Sequence, residues 1–185
     1  MLTKATTLLV LLCALIVGCE NNSDPLAQER KVIRAVIERT GVNKLSPIVI
    51  DLRRSVDKRI TEDLIGADQE SIEVYRSYLL SNDTPGNLPI GANWKADTLL
   101  LDQAGYDGFF KHVGLEEGWH KFHQKYPYAK GIVGMSRAGF NRQQDVAIIY
   151  YKFGCGPDCG SGWLFKLQRG WLGWEVIEME HLWAS

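Results

Sequence analysis

The chain is poor in the residues that build metal and redox centres. Four cysteines and four histidines are spread over 185 residues. No Cys-x-x-Cys, His-Glu-x-x-His or Cys-x-x-Cys-His occurs, which excludes the thioredoxin-type redox motif, the zinc-protease helix and c-type haem attachment. Charge of one sign is also missing. Lysine plus arginine number 21 against 22 acidic residues, a net charge of −1, so there is no basic excess of the kind a dedicated nucleic-acid binder carries. The one long apolar run, Leu8 to Val17, falls short of the roughly 20 residues that span a bilayer. There is no internal repeat and no low-complexity tract.

What that run does fit is export. Met1-Leu2-Thr3-Lys4 supplies a single positive charge, the apolar run follows, and Gly18 precedes Cys19. A basic start, about 7–15 apolar residues and a small residue before the cut describe a secretory signal. The ending Ile16-Val17-Gly18-Cys19 resembles the lipobox of bacterial lipoproteins. That resemblance implies cleavage before Cys19, diacylglycerol on its sulfur and acylation of its new amino group. Cys13 would be discarded with residues 1–18. Residues 19–27 are polar at first and read as an acylated, flexible tether. Glu20, not Asp, follows the cysteine, so no inner-membrane retention signal is evident, and inner and outer membrane both stay open. Residues 28–185 are then a single domain, with 45% hydrophobic residues and six tryptophans in the whole chain to build its core.

The first half of that domain reads as mixed. Leu26, Val32, Ile33, Val36 and Ile37 form an apolar stripe on a helix from Pro25 to Arg39, with Asp24 as cap and Gly41 as stop. Ile48 to Leu52 reads as a strand and Arg53 to Ile65 is ambiguous. Gln69 to Leu80 is a second helix, Ser81 to Asn93 a loop, Thr98 to Asp102 a strand, and Gln103 to His112 weakly helical. Leu115, Trp119, Phe122 and Tyr126 recur at three- and four-residue steps, which predicts a helix ended by Pro127.

Gly131 to Trp183 reads as an antiparallel meander. Val146 to Phe153 is apolar on both parities, as for a strand covered on both faces. In Trp163 to Gln168, Trp163, Phe165 and Leu167 share one face and Lys166 and Gln168 the other. Between them Cys155 and Cys159 flank a Gly/Pro loop. Facing residues of an antiparallel pair lie within disulfide reach, and export favours the bond, so a Cys155–Cys159 bridge is expected. Closing so short a loop contributes about 2 kcal/mol, a lock on a hairpin tip more than the source of the fold.

This block resembles a family of bacterial proteins, many with lipoprotein signals. The residues that carry it are Trp119, Phe122, Tyr126-Pro127, Gly131, Ser136, Gly139-Phe140-Asn141, Ala147, Cys155-Gly156, Cys159-Gly160, Gly162, Trp174 and Trp183-Ala184-Ser185. The resemblance covers roughly the last 70 residues. It implies a fold and a location and no catalytic residue.

Candidates for chemistry are few. Glu116, His120 and His123 lie on one helix stripe, where a carboxylate and two imidazoles could ligate a metal, although a solvated Glu–His flank explains them as well. Gly134-Met135-Ser136-Arg137-Ala138 is one residue short of a Gly-x-Ser-x-Gly elbow, and no helix is expected after it, so turn hydrogen bonding and surface charge account for Ser136 and Arg137. Gly160-Ser161-Gly162 lacks the lysine of a phosphate cradle and reads as relief of backbone strain. Asp97 and Asp102 would need a shared cleft to act as a pair.

The expectation is an α+β domain: an antiparallel meander of four or more strands with helices packed on one face. The expected role is a membrane-tethered periplasmic lipoprotein that binds an envelope protein or small ligand, with no cofactor and no nucleic acid. The alternatives are a hydrolase or metal-dependent enzyme using Ser136 or His120/His123, and a structural envelope component. Intact-mass measurement on membrane extracts should find a chain starting at an acylated Cys19, and Cys19→Ala should leave an uncleaved chain without lipid.

Overall fold

The computed structural model describes residues 24–45, 47–91, 94 and 97–185. The expected signal peptide, Cys19 and residues 20–23 of the expected tether lie outside the described residues. The elements run in chain order α1 (Pro25–Thr40), a 3₁₀ turn (Val42–Lys44), β1 (Ile48–Arg54), α2 (Glu62–Ile65), α3 (Gln69–Asn82), β2 (Thr98–Leu101), α4 (Gln103–Phe110), α5 (Leu115–Lys125), β3 (Ile132–Met135), β4 (Gly139–Phe140), β5 (Val146–Gly156), β6 (Cys159–Gly170) and β7 (Gly173–Ala184). Among them no helix is long and apolar enough to cross a membrane.

Local chemistry accounts for most of the boundaries. Asp24 caps α1 by accepting the Leu26 N–H at 3.0 Å, Pro25 takes the first turn, and Gly41 ends the helix at φ 71°. The helix therefore starts at Pro25, as expected, inside residues 19–27. Asp68 and Asp102 cap α3 and α4 through the Ser71 and Gly105 N–H groups. The ambiguous Arg53–Ile65 stretch resolves into the end of β1, a loop and the single turn α2. In the 141–145 turn, the Asn141 side-chain oxygen accepts from the N–H groups of Asp145 and Val146, both at 3.0 Å.

The class is α+β, but the sheet is mixed and not a pure meander. Its order is β2-β1-β3-β5-β6-β7, with β4 pairing only with β5. β2, β1 and β3 run parallel, and β3, β5, β6 and β7 are antiparallel neighbours. β2 reaches β3 through α4 and α5, leaving β1 between them, which is the crossover that parallel strands require.

The helices also cover both faces and not one. Ala147, Ile149 and Tyr151 of β5 point into a cluster with Val32, Ile33, Val36 and Ile37 of α1. Val146, Ile148 and Tyr150 point the other way, onto Val74 and Tyr78 of α3. On that second face Val49, Leu101 and Ile132 meet Phe109 of α4 and Phe122 of α5. A strand with apolar residues on both parities must be covered twice. Each fully buried aliphatic or aromatic side chain contributes about 1.5–3 kcal/mol.

Two polar ties lock α1 in place. Trp174 Nε1 of β7 donates to Gln28 Oε1 at 3.1 Å. Glu29, only 1% exposed, accepts from the Arg137 guanidinium and from the Ala138 N–H. Arg137 is thus an anchor for α1 and not a surface charge. Replacing Glu29 by Ala strands a guanidinium and a buried N–H together. Glu29→Ala should lower stability by about 2–4 kcal/mol in chemical denaturation, with the helical signal kept until the transition.

Candidate functional site

α1 is too short to cover its face of the sheet. It stops at Gly41, and the chain turns away through the 3₁₀ turn to Leu45. Beyond that point a concave groove of about 540 Å³ remains over the strands. Its floor is Tyr151 and Phe153 of β5, Ser161, Trp163 and Phe165 of β6, and Met179 of β7. Its wall is Arg39, Thr40, Gly41, Val42 and Leu45. Small-molecule sites have this character: roughly 300–1,000 Å³, mostly apolar, with a few placed polar groups.

The floor side chains are held by one another. Tyr151 and Phe165 meet edge to face at 5.9 Å, and Trp163 packs on His181 at 4.4 Å. Trp163 Nε1 donates to Ser161 Oγ at 3.3 Å. Burial pushes the Tyr151 hydroxyl up to about 12, partly offset by the hydroxyl of Thr40. Burial pushes Tyr150, on the other face, up to about 12 as well.

The cysteine clasp sits at the end of this groove. Cys155 and Cys159 are joined, with Cα atoms 5.1 Å apart. The strands run on through Gly156 and Cys159, so the turn is only Pro157-Asp158, tighter than the loop expected. Phe153 pairs with Ser161 two residues from the bridge, so the clasp sets the register of groove residues on both strands.

The glycines of that hairpin make room; they do not relieve strain. Neither Gly160 nor Gly162 has a positive φ. A Cβ at Gly162 would lie 2.5 Å from Trp183 Cε2, so the indole occupies the missing side chain's place.

The other sequence candidates are dispersed. Ser136 is 0% exposed, and its Oγ accepts the Tyr150 N–H at 2.9 Å. His123 turns inward, with Nε2 3.2 Å from the Cys155 carbonyl oxygen, and stacks on Trp119. His120 points outward, 2.9 Å from Gln124, and shares a surface depression with Glu116. Among the described residues no three His, Cys, Asp or Glu side chains gather as a metal set, so Glu116, His120 and His123 are not brought together. His112 lies exposed after α4, Asp102 serves as a helix cap, and Asp97 is exposed before β2. Trp171 is 93% exposed at the β6–β7 tip.

The groove residues were partly visible beforehand, since Trp163, Phe165 and Leu167 alternate onto one face. Arg39, Thr40 and Met179 carried no such signal, because only the ending of α1 over the sheet makes them neighbours. No protein-family model, curated protein or solved structure matches the chain.

Tyr151 supplies a pH signature. Its folded value lies above the unfolded one near 10, so its stabilisation is complete below about pH 10. It is lost as pH rises through about 12. Thermal unfolding measured between pH 9 and 12 should show a falling midpoint, and Tyr151→Phe should flatten the fall by an amount worth about 2 kcal/mol.

Proposed function

We propose that this chain is a lipid-anchored envelope protein whose domain binds a small amphipathic ligand in the groove between α1 and strands β5 to β7. The anchor is the acylated Cys19, and the domain faces the periplasm. The observation that carries the reading is the groove: a half-buried apolar floor beyond the end of α1, with polar atoms at one end. Phe153, Trp163 and Met179, the half-buried side chains of the floor, suit a flat ring or an acyl segment. Arg39 and Thr40 stand at the helix end, where a cation and a hydroxyl suit an anionic or hydroxyl head group. The role is binding and not turnover.

The test uses 2-naphthalenesulfonate, an aromatic ring with an anionic head, as the probe. Calorimetric titration of the full chain in lipid nanodiscs, with empty nanodiscs subtracted, should show saturable binding. Met179→Trp, which fills the groove, should weaken it at least about tenfold, or ~1.4 kcal/mol. Arg39→Gln should weaken the sulfonate and leave a neutral naphthalene alcohol unaffected. Equal affinity in Met179→Trp would overturn the reading.

A further inference from the structure

The face opposite the groove carries a distinct row of residues between its two apolar clusters. Leu101, Asp51, Gly134, Lys152, Gly162 and Trp183 stand in register across β2, β1, β3, β5, β6 and β7. On one side of this row lies the apolar cluster under α4 and α5; on the other lies the cluster under α3. Between Leu101 at one end and Trp183 at the other, the row is polar or bare: Asp51, Gly134, Lys152 and Gly162. It also falls at the carboxyl end of β2 and next to that of β3, the end at which open sheets with parallel strands take ligands.

Most charges along the strip are already matched. Asp51, 1% exposed, accepts Arg53 Nε at 2.9 Å and Nη2 at 2.7 Å, so both its oxygens are engaged. Arg53 also lies over the Tyr106 ring at 3.4 Å. Asp57 takes Arg59 through two bonds, at 2.8 and 2.7 Å. Trp183 Nε1 donates to the Tyr150 hydroxyl at 3.0 Å.

Lys152 is the exception. Among the described residues its ammonium has no hydrogen-bond or ion-pair partner, and neither has the hydroxyl of Ser55. Neither atom is sealed from solvent. The two side chains converge. A Cβ at Gly134 would lie 2.5 Å from Lys152 Cε and 2.8 Å from Ser55 Oγ, so both fold over the same glycine. A side chain at that position would meet both, and they would have to swing aside. A half-buried ammonium beside a free hydroxyl, next to a carboxylate that Arg53 has already neutralised, is a donor pair with an uncompensated positive charge.

We propose that Lys152 and Ser55, brought together over Gly134, form a binding site for a small oxyanion, the phosphate or carboxylate group of a ligand. Anion binding supplies the direct partner that neither Asp51 nor Asp57, each held by an arginine, provides. Burial lowers the Lys152 pKa, with Asp51 and Asp57 opposing and Arg53 adding to the effect, and a bound oxyanion would restore the charged form. The site is independent of the groove, which lies on the other face.

The experiment is lysine footprinting on the full chain in a non-ionic detergent. An N-hydroxysuccinimide ester labels the lysines, and mass spectrometry reads each one. Inorganic phosphate and acetate are titrated separately, with chloride at equal ionic strength as reference. Labelling of Lys152 should fall saturably with phosphate or with acetate, while Lys130 and Lys166 stay unchanged. Protection by phosphate alone assigns a phosphate ligand, and protection by acetate alone a carboxylate. Ser55→Ala should raise the half-protecting concentration about tenfold. Equal labelling of Lys152 in all three salts would overturn the site. So would parallel loss at Lys166, or a Ser55→Ala protein with unchanged protection.

Discussion

The structure depends on one constraint: the segment Val146–Tyr151 of β5 is buried on both faces. A strand of this kind cannot sit at an edge or against water on either side. It needs a hydrogen-bonded neighbour on each flank and an apolar cover above and below. β3 and β6 supply the flanks. α1 supplies one cover and α3 the other, and the short strand β4 lets α3 approach closely. A Cβ at Gly139 would lie 2.5 Å from Tyr78 Cβ, so the helix packs where a side chain is missing.

Coverage then fails where the helices end, and that gives the molecule its two candidate sites. On one face α1 halts at Gly41 before the aromatic ends of β5 and β6, and a groove results. On the other, α3 and the α4–α5 pair cover separate apolar patches, and the strip between them holds charges. The two sites differ because their floors differ. Tyr151, Phe153, Trp163 and Phe165 occupy one parity of the hairpin, while Lys152, Gly154 and Gly162 occupy the other. A one-residue slip in the β5–β6 register would exchange these sets. The Cys155–Cys159 bridge at the tip opposes that slip.

Much of this was legible in the residues. The double-sided apolar pattern of Val146 to Phe153 already called for two covers, yet the helices were expected on one face only, and those two readings conflict. The resolution required knowing that β5 is central in a sheet of which β1 and β2 are part. The parallel strands were the harder step. Ile48–Leu52 and Thr98–Asp102 were each recognisable as strands, but their direction relative to β3 depends on the α4–α5 crossover. Arg137 was misread for a similar reason, since its partner Glu29 lies 108 positions earlier in the chain. Gly160 and Gly162 were read through backbone freedom, when their reason is Trp183, which reaches them from a different strand.

By itself the sequence determined what nearest neighbours can decide: helix periods, Asp24 and Gly41 as ends of α1, the alternation in β6, and the closeness of Cys155 to Cys159. These follow from forces acting over a few residues, namely capping, side-chain periodicity and turn geometry. Tertiary structure alone decided which faces the helices cover, how far α1 reaches over the sheet, and that Lys152 and Ser55 meet above Gly134. Those outcomes depend on register between distant strands and on helix length against sheet width, quantities that no short stretch of chain contains.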